Sequence, residues 1–141
     1  MNKKLRQQVY DKFGGRCAYS GQPLDDKWQV DHATSKKKNF YLACYDYGDM
    51  DKLSERLKSI DRLENLLPAC WIINHYKREL DVEGFRKYLA DFHIRLAKLP
   101  KNPIAQRSIR RKRYMQEVAD IMGITPDKPF SGKFYFETLN H

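Results

Sequence analysis

The chain has 141 residues, a length that suits one domain with a modest core. Lysine and arginine total 27 against 18 aspartates and glutamates, a formal net charge of +9, which points to a polyanionic partner, with nucleic acid first. Three cysteines are too few for a disulfide scaffold, the longest apolar run, LLPACWII, is too short to span a bilayer, and MNKKLRQQVY lacks the apolar core of a signal peptide; the expected compartment is a reducing cytoplasm, with no membrane partner.

Leu5, Val9 and Phe13 recur every four residues and Gly14-Gly15 stops them, which predicts an N-terminal amphipathic helix. RCAYSG and KWQVDH are rich in strand formers and are separated by QPLDD, so a hairpin is expected. Lys36 to Lys38 begin a polar loop. Met50, Leu53, Leu57 and Ile60 then mark a short helix capped by Asp49. Ile73, Tyr76 and Leu80 share one face of a helix from about Trp71 to Leu80. Asp81 starts another, whose stripe is Val82, Phe85, Leu89, Phe92 and Leu96 and which Pro100 ends. Asn102-Pro103 reads as the start of a last helix holding Ile104, Met115, Val118 and Met122 and closed by Gly123. GKFYFETL looks like a final strand.

Three polar clusters fall where the helix and strand patterns do not require them: Asp31-His32 at the end of a strand, Asn65 in ENLLP, and Asn74 with Lys77 one helical turn apart. Together they suit phosphodiester hydrolysis. An imidazole can deprotonate water, and an Asp carboxylate with an Asn carbonyl offers hard oxygen ligands to Mg²⁺ or a similar ion such as Mn²⁺. His32 would be the base, and Asp31 and Asn74 the metal ligands. Each residue alone has an ordinary reading: a strand-end pair, a turn residue, a solvated helix position.

The order CAYSG…WQVDH…ENLLPAC…NHYK resembles the HNH endonucleases, the ββα-metal nucleases, and in particular their small stand-alone bacterial and phage members. The resemblance covers about the first half of the chain. It implies a ββα-metal core at about 14–80; with the helices read above, the expected fold is α+β in one domain over 1–141, the core flanked by an N-terminal helix, an inserted helix and a helical DNA-contacting extension over about 81–141. It implies that His32 is the general base, that Asp31 and Asn74 hold the metal, that Asn65 braces the loop of the base, and that Lys77 is the site lysine. His75 sits one residue late for the third motif letter. The implied reaction is cleavage of double-stranded DNA to a 5′-phosphate and a 3′-hydroxyl.

The chain departs from the family where the two cysteine pairs of a structural zinc would stand. Here they read Cys17-x-x-Ser20 and Cys70-x-x-Ile73. Two thiols are too few for tetrahedral zinc, and neither Cys44 nor His75 or His93 is spaced to complete the set. No structural zinc is expected; Cys17 and Cys70 should face each other as thiols and Ile73 should fill core. RSIRRKRY carries Arg107, Arg110, Arg111, Lys112 and Arg113 without an acid, and SKKKNF carries Lys36, Lys37 and Lys38 close to His32. Both are candidate phosphate contacts. Two alternatives stay open: a binding or regulatory protein with the same fold and no catalysis, and RNA in place of DNA.

Overall fold

A computed structural model describes residues 1–46 and 48–139, the side chain of Lys37 excepted. Helix α1 (Lys3–Asp11) starts where Asn2 accepts the Leu5 N–H at 2.7 Å, and it buries Val9. Gly14 (φ 63°) and Gly15 (φ 79°) end it in left-handed conformations open to glycine, and a Cβ on Gly15 would stand 2.9 Å from the Tyr10 hydroxyl.

The expected hairpin does not form. Residues 17–21 make a tight turn instead, with Gly21 donating to the Cys17 carbonyl at 2.9 Å. Strand β1 (Gln29–His32) pairs antiparallel with β2 (Leu66–Ala69), the LLPA of the apolar run, in the register Asp31↔Leu67 and His32↔Leu66. All four β2 residues are buried, so β2 burial, not chain proximity, selects the partner. Pro68 is tolerated because the sheet has only two strands. The 17–21 turn joins this sheet through the Ala18 N–H, which donates to the Pro68 carbonyl at 2.8 Å, and through the Tyr19 hydroxyl, which donates to Asp31.

Between the strands, Lys36–Ala43 form helix α2, not a loop. Ser35 caps it by accepting the Lys38 N–H, and Asn39 and Ala43 are its buried face. Helix α3 (Met50–Ser59) follows, with Asp49 accepting the Lys52 N–H as its cap. Helix α4 (Trp71–Lys77) leaves the end of β2 directly. The expected single helix after Asp81 is two, α5 (Val82–Ala90) and α6 (Phe92–Ala97), because the chain breaks at Asp91 (φ −103°, ψ 8°), whose carbonyl then accepts from Ile94 and Arg95. Its stripe survives the break: Phe85, Leu89, Phe92 and Leu96 are all buried.

Helix α7 (Gln106–Met122) begins at Ala105, not at Asn102-Pro103, and Ile104 is 93% exposed rather than core. Gly123 ends it at φ 70°. The expected final strand is a helical turn, α8 (Tyr135–Thr138). Glu137 accepts the Phe134 N–H at 2.9 Å, while Tyr135 and Phe136 donate to the carbonyls of Tyr19 and Ala18. Phe134 is buried and stacks on Phe85, centroids 5.4 Å apart. The fold is thus mixed helix and sheet, α+β. Among the described residues no helix is long and apolar enough to cross a membrane.

Candidate functional site

Asp31 points inward from β1 and is 6% exposed. Its Oδ2 accepts from the Tyr19 hydroxyl and its Oδ1 from the Lys77 ammonium at 3.2 Å, and the same ammonium stands 3.0 Å from Oδ2 as an ion pair. Burial pushes the Asp31 carboxyl above the usual carboxylate range, and Lys77 and Tyr19 pull it back only in part. Burial likewise raises the Tyr19 phenol, which stays protonated as a donor. Lys77 is 1% exposed. Besides Asp31 it donates to the carbonyls of His32 (3.3 Å) and Leu80. The last turn of α4 is therefore tied to β1 by a buried ion pair.

His32, the next residue, alternates outward. Its Nε2 lies 2.8 Å from Oδ1 of Asp61, just past the end of α3. Asn65 holds the segment that follows: its Oδ1 accepts the Thr34 N–H at 2.8 Å, its Nδ2 donates to the carbonyls of Thr34 and Ile60, and its own carbonyl accepts the Ala33 N–H. Asp31, His32, Ser35, Lys36, Lys77, Arg78 and Glu79 line one recess of about 190 Å³. Asp31, His32 and Lys77 thus share a recess, while Asn65 lines a separate hollow with Ala33 and Thr34. Asn74 is outside that recess. It lies at the other end of the strand, donating from Nδ2 to Gln29 at 2.7 Å, and Gln29 shares the Asp31 face of β1. His75 turns away from β1, against the ring of Tyr114.

Tyr19 and Asp61 were not legible as site residues. Tyr19 sits in the CAYSG turn, and Asp61 is 29 residues from His32 with no spacing that links them. Arg78 is also unexpected: it closes α4 at φ 56°, ψ −131°, a conformation normally left to glycine.

Cys17 and Cys70 face each other as free thiols, the Cys70 thiol donating to the Cys17 sulfur at 3.7 Å. The hydrogen bond from Cys70 holds the Cys17 thiol down to about 6, and the same contact pushes Cys70 up. Ile73 is fully buried in the main core with Cys17, Ala18 and Tyr19. Ile73→Ala should therefore cost about 2–5 kcal/mol in denaturant unfolding. The purified protein should stay folded in EDTA; one tightly held zinc per chain by elemental analysis would overturn the reading of Ile73 as the substitute for a metal tie. Among the described residues no three His, Cys, Asp or Glu side chains converge on one point.

The cationic run on α7 does not share one face. Arg111 lines a cleft beside α4, whereas Lys112 and Arg113 line a groove against Lys101–Pro103. Lys112 donates to the Lys101 carbonyl; Arg107 and Arg110 are exposed. At the other patch, Lys36 lines the His32 recess, Lys38 pairs with Asp81, and the Lys37 side chain lies outside the described residues. No protein-family model matches the chain, and neither a curated protein nor a solved structure matches it.

Proposed function

We propose that the chain is a metal-dependent endonuclease that hydrolyses DNA phosphodiester bonds, built on a ββα core of the HNH kind. The observation that carries this reading is the succession β1–β2–α4, with Asp31-His32 ending the first strand and Asn74 and Lys77 on the helix after the second. With Nε2–H donated to Asp61, His32 would accept a proton from water at Nδ1. Asn65 would keep the backbone after His32 from yielding, and Lys36 would steer phosphate toward the recess. A Mg²⁺-class ion, where bound, supplies neutralisation of the phosphate and of the leaving oxygen. Asp31 lines the recess and its carboxylate has lone pairs beyond those given to Tyr19 and Lys77, whereas Asn74 stands outside the recess with its Nδ2 on Gln29, so its Oδ1 would have to reach the ion from beyond the lining. Asp31 and Asn74 would hold it.

One observation favours the alternative of an HNH-fold binding protein without catalysis: both Asp31 oxygens are already engaged, Oδ1 accepting from Lys77 and Oδ2 from Tyr19. Supercoiled plasmid separates the two. The endonuclease should nick or linearise it with Mg²⁺ and leave it intact with EDTA. Asp31→Ala and Asn74→Ala should each raise the Mg²⁺ concentration for half-maximal activity, and His75→Ala should not. A metal defect in His75→Ala with none in Asn74→Ala would show that the third motif position is assigned one residue early. No cleavage under any divalent ion would favour the silent binder.

A further inference from the structure

A second concavity, about 1130 Å³, opens beside the recess and shares Lys77, Arg78 and Glu79 with it. It lies between the end of α4, helix α5 and helix α7, and its walls are aromatic. Tyr76 and Tyr88 stack with centroids 5.2 Å apart, Tyr76 and Tyr114 are 5.8 Å apart, and His75 meets Tyr114 edge-on at 5.8 Å. Tyr88 is 42% exposed and is fixed by Arg95, whose guanidinium packs 4.5 Å from its ring centre and donates to its carbonyl at 2.7 Å. Arg78 and Arg111 bring two exposed guanidinium groups to the walls. Arg78 does so from the glycine-type backbone conformation that separates recess from cleft, a strain that packing alone does not require of an exposed arginine.

Rings beside guanidinium groups fit one chemistry. Bases stack on aromatic faces and phosphates pair with arginine. In an intact duplex the bases are paired and stacked inside, and their faces cannot reach Tyr88. We infer that this cleft takes unpaired nucleotides of a DNA strand, so that the substrate class is DNA with a single-stranded segment next to the scissile bond. The inference rests on the nuclease reading for the position of that bond, and on the cleft itself for the unpaired bases.

The test is fluorescence anisotropy in EDTA, with labelled oligonucleotides of one length: intact duplex, the same duplex with a short single-stranded gap, single-stranded DNA, and single-stranded RNA of the same sequence. The gapped duplex should bind about tenfold tighter than the intact one, the equivalent of one stacked base. Tyr88→Leu should bring the two affinities together. Arg78→Gly gives a second variant whose fold is secure, because glycine adopts this backbone freely; it should weaken gapped-duplex binding while its melting temperature holds or rises. Equal affinity for gapped and intact duplex, or a preference that survives Tyr88→Leu, would overturn the inference, even if plasmid is nicked. RNA binding tenfold tighter than DNA would overturn the assignment to DNA. The expected preference without cleavage in Mg²⁺ would leave the cleft standing and remove the nuclease.

Discussion

His32→Ala should lower the rate of Mg²⁺-dependent plasmid nicking by about 10²–10⁴-fold, the loss typical of a general base, while binding to DNA persists. The expectation follows from how the imidazole is held. Asp61 takes the Nε2 side at 2.8 Å, and the Asn65 bonds to Ala33 and Thr34 fix the backbone that follows. What remains is Nδ1, with no bond to Asp61, at a recess lined by Lys36 and Asp31. In the proposed reaction Asp61 would act through the ring it holds at Nε2. Asp61→Asn keeps an acceptor for Nε2–H and should retain most of the rate, whereas Asp61→Ala frees the ring and should lose more. ¹⁵N spectra of the neutral imidazole give a second readout: the Nε2–H resonance should carry the shift of a hydrogen-bonded donor in wild type and in Asp61→Asn, and should lose it in Asp61→Ala. Cleavage at the wild-type rate by His32→Ala would remove His32 as the base.

The largest stability effect is expected at Lys77. Its ammonium is 1% exposed and is the cationic partner of a carboxylate that is 6% exposed. Lys77→Met keeps the length of the side chain and removes the charge, leaving Asp31 buried and uncompensated. The cost should be about 3–5 kcal/mol in urea unfolding, a large part of the roughly 5–15 kcal/mol that holds a domain together. The double variant Asp31→Asn with Lys77→Met removes both charges and should recover much of that loss, because the desolvation of two ions goes with them.

The pH dependence has a definite sign. Asp31 titrates above its ordinary value in the folded chain, so between that ordinary value and the raised one the folded state binds more protons than the unfolded state. Stability from this group is present at low pH and falls as pH rises through the window. Without Lys77 the window widens upward, so the deficit of Lys77→Met should be greatest near neutral pH and shrink on acidification. A deficit under 1 kcal/mol at neutral pH would mean that the ammonium contributes little to holding α4 on β1.

The elements that could be read along the chain are those whose signal is local. Leu5, Val9 and Phe13 with the glycine stop, and Asp49 before the Met50 stripe, needed only helical periodicity and a cap, and α1 and α3 stand where those signals put them. The stripe from Phe85 to Leu96 named the buried residues, yet not the break at Asp91, since an apolar period survives a change of axis. The hairpin failed for the opposite reason. RCAYSG has strand composition, but a strand needs a partner, and β1 found a fully buried one more than thirty residues later. FYF at the C-terminus alternates like a strand but turns as a helix because Glu137 closes back on Phe134 and the backbone of residues 18 and 19 takes its amides.

The amino-acid order by itself determined the charge and its cationic runs, the adjacency of Asp31 to His32, the one-turn spacing of Asn74 and Lys77, and the placing of Ser20 three residues after Cys17 and of Ile73 three after Cys70. All of these are properties of neighbours within a turn or two. Only the tertiary structure decided that Lys77 is buried on Asp31 rather than held out toward solvent, that Asp61 meets His32, that Asn74 bonds Gln29 outside the recess, and that Arg111 parts from Arg113 to line a cleft with Tyr88. The physical reason is one of range: helix period and capping act over three or four residues, whereas burial and ion pairing depend on which distant segments β1, β2 and α4 bring together.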